Sequence, residues 1–442
     1  MQRGEARQCA RRNCETRLPQ AGAVLHADFE IGDRMHLRCN NRNCAHTLDL
    51  HERAVACPKC GDLLEVVMEA PKQDPAQVKR MWLERRMSNA SADRSGVWRF
   101  RDLLPGPYSL EDLVTLSEGN TPLVHGLKTG KSTGLDQLFF KHLGWNPTGC
   151  FKDLGMTTGM TEAKHVGAKI VACASTGNTS ASLAAYASRA GLEAHVYLPS
   201  GKISLNKLAQ ALEFGAKIVE VDGSFDAALD QLLNTKNDDI YFLNSVNPFR
   251  VEGQKTVIFE MMEQLDWRVP DVVICPGGNL GNSAAFSKGL EELKEFGFID
   301  RLPKLVVVQA AGANPFAELW RTGADELTPT EHPETVATAI RIGNPRSWRK
   351  ALHGVKMTGG FVMEVTDEEI GEAKALIGLD GIGCEPASAT TLAGLRKLHA
   401  EGKLDRDATV VAILTGHALK DTDYILKAHA KANEARLAEV NG

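Results

Sequence analysis

From residue 138 onward, short apolar runs alternate with longer amphipathic stretches. Leu138-Phe139-Phe140 is one such run, and residues 169–174, 195–198 and 217–221 repeat the pattern. Between them, 180–189, 205–214 and 225–233 read as helices, with Gly191 and Gly215 placed to close two of them. Strand-helix alternation predicts parallel α/β units. Gly167-Ala168-Lys169-Ile170-Val171 and Gly215-Ala216-Lys217-Ile218-Val219 repeat one helix-to-strand join 48 residues apart, which marks 162–244 as a compact domain. A second set follows at 252–264, 272–275, 284–296 and 305–309. Residues 315–360 read as irregular, with Ile340 to Pro345 their most ordered part. Helices at 366–376, 389–399 and 428–440 and a last core strand at 409–414 complete the pattern, the first of these helices opening on an acidic turn that suits its dipole.

The amino-terminal sixty residues have a different texture. Six cysteines fall there, and Cys57-Pro58-Lys59-Cys60-Gly61 is a knuckle suited to one side of a tetrahedral zinc. Cys39 and Cys44 can supply the other side, giving CX4C-X12-CX2C, the first spacing one residue wider than the commonest range. Leu37-Arg38 and residues 63–68 read as ribbon strands. Cys9 and Cys14 echo the Cys39–Cys44 spacing, but a second site would need His26 or His36. The alternative is a degenerate ribbon whose cysteines are buried small residues. His36, His46 and His51 read as surface residues, and 71–107, with a helix near 76–87, as a connector.

Composition narrows the function classes. A chain of 442 residues with 43% hydrophobic content implies two or three domains: 1–70, a body of 71–161 with 245–442, and 162–244. A net charge of -5 without a long basic run argues against nucleic acid. No apolar stretch reaches transmembrane length and the start lacks an apolar signal core, so a cytoplasmic protein is expected. There, cysteines serve as metal ligands or free thiols rather than disulfides.

Four stretches carry candidate chemistry. In Asn146-Pro147-Thr148-Gly149-Cys150-Phe151-Lys152-Asp153, a tight turn holds Lys152 at a helix mouth. Partial desolvation lowers the cost of a neutral amine there, and such an amine can form a Schiff base with an aldehyde cofactor. Gly277-Gly278-Asn279-Leu280-Gly281-Asn282 follows an apolar strand and opens a helix, exposing N–H groups suited to phosphate. It lacks both a Walker lysine and the dinucleotide glycine spacing. Ser175-Thr176-Gly177-Asn178-Thr179 offers hydroxyls and N–H groups to a carboxylate, and Thr179 also fits a plain helix cap. Thr415 ends the last strand. Taken singly, each has a bland reading: a solvated lysine, a tight β-α turn, a cap, a buried strand threonine.

Together these stretches resemble the pyridoxal-phosphate enzymes of the tryptophan-synthase β fold type and, more narrowly, the threonine synthases. The resemblance covers nearly all of 117–421 and is most specific at 141–156 and 415–420. It implies two parallel α/β domains of fold type II behind a small zinc-ribbon-like segment. It makes Lys152 the covalent anchor of pyridoxal 5'-phosphate and the base at Cα, and Gly278, Asn279, Leu280, Gly281 and Asn282 the cup for the cofactor phosphate. Asn178 is then the partner of the phenolic oxygen, and Thr415 faces a pyridine nitrogen left unprotonated. Thr176 and Thr179 become contacts of the substrate carboxylate. Asn244, Ser245 and Arg250 become receptors for the substrate phosphate, where an arginine before a helix is otherwise a solvated charge; Lys255 is left aside.

The implied reaction takes O-phospho-L-homoserine and water to L-threonine and phosphate, with zinc held by Cys39, Cys44, Cys57 and Cys60 in a structural role. A homodimer is compatible with it. Cys150 stands where the family usually has serine, and Ala418 where glycine is common. Serine/threonine dehydratase and cysteate synthase are the rival enzymes, the first needing no substrate-phosphate receptor and the second using a substrate one methylene shorter. A non-enzymatic ribbon protein with a degenerate body would be expected to lack Lys152 or the glycine turn, and both are present.

Overall fold

The computed structural model describes residues 35–175, 177–200, 205–222, 231, 232, 235 and 237–428. Cys9, Cys14, His26, Thr176, the helix expected at 428–440 (all but its first residue) and most of that expected at 225–233 lie outside them. The chain opens with β1 (His36–Cys39), β2 (Thr47–Asp49) and β3 (Leu64–Val67), an antiparallel sheet of order β2-β1-β3. Leu37, Leu64 and Val66 are buried on it together with Cys39 and Cys57. Phe249, from far along the chain, completes that small core.

The helix Pro75–Arg86 then leaves the ribbon, started by Asp74, whose side chain accepts from the Ala76 N–H at 2.8 Å. Trp82 anchors it. The indole is fully buried against Phe100, Phe259 and Phe298, and its N–H donates to Asp102 at 2.8 Å, so the polar tip is satisfied inside the core.

The body holds two sheets. β4 (Leu123–His125) lies antiparallel to β5 (Gln137–His142). Next in the chain come β6 (Ile170–Ala174), β7 (Glu193–Pro199), β8 (Lys217–Val221) and β9 (Ile240–Phe242). These four make one parallel sheet of order β8-β7-β6-β9. β10 (Val272–Pro276), β11 (Lys304–Ala310), β12 (Phe361–Val365) and β13 (Thr409–Leu414) rejoin the first pair, giving β12-β11-β10-β13-β5-β4. Every pairing in that sheet except β4 with β5 is parallel, so its central strands are near-continuous Val/Ile/Leu runs buried on both faces.

Helices Lys152–His165, Pro248–Gln264 and Gly281–Glu295 form the middle of the body. The first two touch backbone to backbone. A Cβ on Gly253 would lie 1.8 Å from the Leu154 carbonyl oxygen, and one on Gly155 would lie 2.7 Å from that of Arg250. Glycine is needed at both positions for approach rather than for turning.

Three expectations change. Residues 315–360 are not irregular throughout but contain helices Pro315–Thr322 and Trp348–Met357. Both are short and strongly amphipathic, and loop residues between them masked the periodicity. Pro248 starts its helix a turn before residue 252, with Asn247 as cap, so Arg250 lies within the first turn rather than ahead of the helix. His51, read as a surface residue, is half-buried and meets Glu162 at 3.0 Å, and that carboxylate also accepts from the Tyr108 hydroxyl at 2.7 Å. Among the described residues no helix is long and apolar enough to cross a membrane.

Because Gly253 has no room for a methyl group, Gly253→Ala should lower stability by about 1–3 kcal/mol through forced separation of the two helices. A urea titration of the variant should show an earlier midpoint, and an unchanged midpoint would mean that the helices part without cost.

Candidate active site

Lys152 is the first residue of its helix, and the loop before it is sewn to the end of β13. Phe151 N–H donates to the Thr415 carbonyl at 2.9 Å, and His417 N–H to that of Gly149, also at 2.9 Å. Gly149 has a φ of +84°, a backbone setting that glycine adopts freely. Asp153, a residue that the sequence reading passed over, ties this loop together. Its carboxylate accepts from the Thr148 N–H at 2.7 Å, the Thr148 hydroxyl at 2.6 Å and the Ser182 hydroxyl at 2.5 Å. Ser182 belongs to the helix Asn178–Ala190, so one carboxylate joins the lysine loop to the neighbouring helix.

The Lys152 ammonium is destabilised. Desolvation by the surrounding protein, helped by the positive charge of Arg250, brings it down to about 8 from 10.5. Its Nζ lies 4.2 Å from the centre of the Phe151 ring. Cys150 is buried, and burial together with the Asp153 charge pushes its thiol up to about 11, so it is a neutral packing group near neutrality. Ala418 is accommodated, its N–H 3.3 Å from the Gly383 carbonyl.

Asn178 and Thr415 converge on a residue the sequence reading did not single out. The Asn178 amide donates to Glu385 Oε2 at 3.1 Å, and the Thr415 hydroxyl to Glu385 Oε1 at 3.0 Å. Thr179 is half-buried in the first turn of the same helix as Asn178. The only sequence signal for Glu385 is its place immediately before Pro386 at a helix start.

Across the site, Leu280 caps the helix Gly281–Glu295 in a left-handed conformation with φ +63°. Among the described residues, the N–H groups of Gly278 to Asn282 meet no protein acceptor. A Cβ on Gly278 would crowd Ile340 at 3.1 Å. Free N–H groups over a glycine hollow at a helix start suit a phosphate. The Asn279 side chain donates to Ser245 Oγ and accepts from the Arg346 N–H at 2.7 Å, while the Asn282 amide donates to the Pro276 carbonyl at 2.9 Å.

Asn244, by contrast, spends both ends of its amide on the backbone of Ala174, at 3.2 Å each. Arg250 is only 1% exposed. One of its nitrogens donates to the Leu243 carbonyl at 3.0 Å, while Nε and Nη2 have no partner. Burial pushes its guanidinium down to about 10. Lys255 is unlike it, buried between Glu252 and Glu292.

Away from these residues, the Sγ atoms of Cys39, Cys44, Cys57 and Cys60 all lie within 4.8 Å of one another. Cys39 is 3.3 Å from Cys60 and Cys44 is 3.8 Å from Cys57. Four thiolates about 2.3 Å from a tetrahedral zinc would stand about 3.8 Å apart, so the donor set fits that ion.

Comparison with known proteins agrees with this chemistry. A family model described as pyridoxal-phosphate dependent enzyme matches residues 114–416. A threonine synthase of Methanocaldococcus jannaschii is 48% identical over 87% of this chain and 93% of its own. One of Methanosarcina acetivorans is 46% identical over 88% of this chain and 93% of its own. Among solved structures, maize serine racemase superposes with a TM-score of 0.59 at 20% identity, covering 72% of this chain and 94% of the racemase. A tomato threonine deaminase superposes with a TM-score of 0.58 at 18% identity over 81% of this chain and 95% of its own.

The depressed lysine makes a direct prediction. A neutral amine should accumulate at Lys152 as pH rises through about 8, well below the ordinary 10.5. Acylation of the cofactor-free protein by an amine-reactive probe, followed residue by residue through peptide mapping, should give that midpoint at Lys152. A midpoint shared with surface lysines would refute the assignment.

Proposed function

The chain belongs to the pyridoxal-phosphate dependent enzymes and, among them, to the threonine synthases, and from this we propose how its residues divide the work. The reaction converts O-phospho-L-homoserine and water to L-threonine and phosphate. The architecture is fold type II, and we assign 162–244 to a small domain and 71–161 with 245–442 to a large one. Bound pyridoxal phosphate supplies the electron sink that stabilises negative charge on substrate carbon atoms.

The residues fit that cofactor. Lys152 is a desolvated amine able to anchor an aldehyde, and the unpaired N–H groups of Gly278 to Asn282 form a cradle for its phosphate. Asn178 and Thr415 would hold its phenolic oxygen and ring nitrogen, while Thr179 and Thr176 would take the substrate carboxylate. In its neutral form Lys152 accepts the substrate Cα proton at Nζ and returns a proton later, a role that the packing of its loop against β13 keeps in register.

The observation that carries the substrate assignment is Arg250. A buried guanidinium with two unpartnered nitrogens is expensive unless something anionic completes it. A phosphate dianion does so with two charge-assisted bonds, and the hydroxyl of Ser245 stands in the same segment to add a third. We keep Asn244 as the residue that sets this segment against β6, since its amide is already engaged. A dehydratase acting on free serine or threonine would have no use for such a group.

We further propose that Cys39, Cys44, Cys57 and Cys60 hold one structural zinc, making the amino-terminal segment a zinc ribbon. Its three short strands bury few large side chains, so metal binding would supply much of its folding energy.

Each charge-assisted bond is worth about 1.5–3 kcal/mol. At about 1.4 kcal/mol per tenfold, Arg250→Ala should lose at least tenfold in kcat/KM with O-phospho-L-homoserine. Arg250→Lys should recover only part, because it keeps the charge without the fork. Borohydride should still fix the cofactor on Lys152 in both variants. Wild-type activity in Arg250→Ala, or faster turnover of free serine than of phosphohomoserine by the native protein, would overturn the assignment. Elemental analysis of protein prepared without chelator should find one zinc per chain. Cys44→Ser should lower that content and loosen the ribbon to proteolysis while leaving cofactor binding intact, and native protein free of zinc would defeat the proposal.

A further inference from the structure

Glu385, which no step above uses, ends a hydrogen-bond chain whose direction can be worked out atom by atom. Ser388 Oγ accepts from the N–H groups of Thr415 at 2.8 Å and Gly416 at 3.2 Å. A hydroxyl has two lone pairs and one proton, so the Ser388 proton is left for Thr415 Oγ1, 3.0 Å away. Thr415 then has one lone pair taken and its own proton to give, and Glu385 Oε1 receives it at 3.0 Å. The other oxygen of Glu385 accepts from Asn178. The carboxyl fits because residue 416 is glycine: a Cβ there would lie 2.6 Å from Glu385 Cδ.

While Glu385 is ionised, Thr415 can therefore offer a further partner only a lone pair, and that partner must be a donor. When Glu385 carries a proton, it donates to Thr415, which frees the Thr415 proton for an acceptor beyond. We propose that Glu385 is a positioning residue that shares one proton with the cofactor's ring nitrogen through the Thr415 hydroxyl; this rests on the reading that Thr415 faces that nitrogen. In the transfer, the O–H bond of Glu385 breaks and its proton bonds to Thr415 Oγ1. The former Thr415 proton passes to the nitrogen. Proton count is conserved, and no electron changes owner. The ring nitrogen is thus coupled to a carboxylate one hydroxyl away rather than isolated behind a threonine.

The surroundings suit a group that changes charge. Burial pushes the Glu385 carboxyl up, opposed by the bonds from Asn178 and Thr415 and by the charges of Lys420 and Lys152. The other titratable groups in its field are the thiols of Cys150 and Cys384. Burial holds these at about 11 and about 12, so they stay neutral.

The substitution Glu385→Gln gives the test a definite sign. The Asn178 amide nitrogen can only donate, so the carbonyl oxygen of the substituted side chain must face it and the new amide nitrogen must face Thr415. Thr415 would then accept from both Ser388 and that amide and could only donate onward. The full-length protein, loaded with pyridoxal phosphate carrying 15N in its ring, would be followed by solid-state NMR as a function of pH. The wild-type resonance should move from its free-base position toward the protonated one as pH falls. In Glu385→Gln it should stay at the free-base position throughout. Thr415→Ser, which keeps the hydroxyl, should retain the wild-type curve, whereas Thr415→Val should lose it. A Glu385→Gln curve matching wild type, with Thr415→Val altered, would overturn the relay while leaving Thr415 at the nitrogen. Curves unchanged in both would overturn the placement of Thr415 itself.

Discussion

A half-buried lysine and a buried arginine, neither paired with a carboxylate, set the terms for the rest of this molecule. The fully buried lysines are neutralised: Lys141 by Glu260, and Lys255 by Glu252 and Glu292. Among the described residues, Lys152 and Arg250 have no such ion pair. Burying an unpaired charge costs several kcal/mol, and the protein must offset that cost elsewhere. The result is a positive interior suited to an anionic substrate and cofactor, in which a lysine loses its proton more readily than in water. The two charges are coupled, since Arg250 helps to depress Lys152.

The scaffold keeps those two charges at fixed separation. Glycines at 155 and 253 bring their helices into backbone contact, so neither can slide without a clash. Asp153 extends the grip to the helix carrying Asn178, and the end of β13 holds the lysine loop from the other side. Rigid elements of this kind position reacting groups better than a free loop would.

The ribbon belongs to the same arrangement. Phe249, which precedes Arg250, sits in the ribbon's small core beside Cys39 and Cys57. His51 reaches from the ribbon segment to Glu162 on the lysine's helix. The amino-terminal segment therefore braces the first turn that carries Arg250, and its packing connects the cysteine cluster with that turn.

Much of this was legible in the amino-acid sequence, for definite reasons. Parallel strands buried on both faces must be short apolar runs, and glycines must close the helices between them, so the order of α/β units could be read directly. Cysteine spacing pointed to a metal cluster because the Cys57–Cys60 knuckle and the wider Cys39–Cys44 pair can supply the two sides of a tetrahedral site. Lys152 and the Gly277–Asn282 turn each have a bland reading alone, and they stand out only because they occur together with Ser175–Thr179 and Thr415. What the sequence could not show depends on contacts between distant residues. Nothing local marks Glu385 as the meeting point of Asn178 and Thr415, 207 and 30 residues away. Nothing marks Asn244 as already engaged by β6, or Arg250 as left with two unpartnered nitrogens. Local pattern reflects local propensity and face burial. Which lone pair is taken, which proton is free and which charge lacks a counter-ion are settled only when the chain has folded and desolvated them.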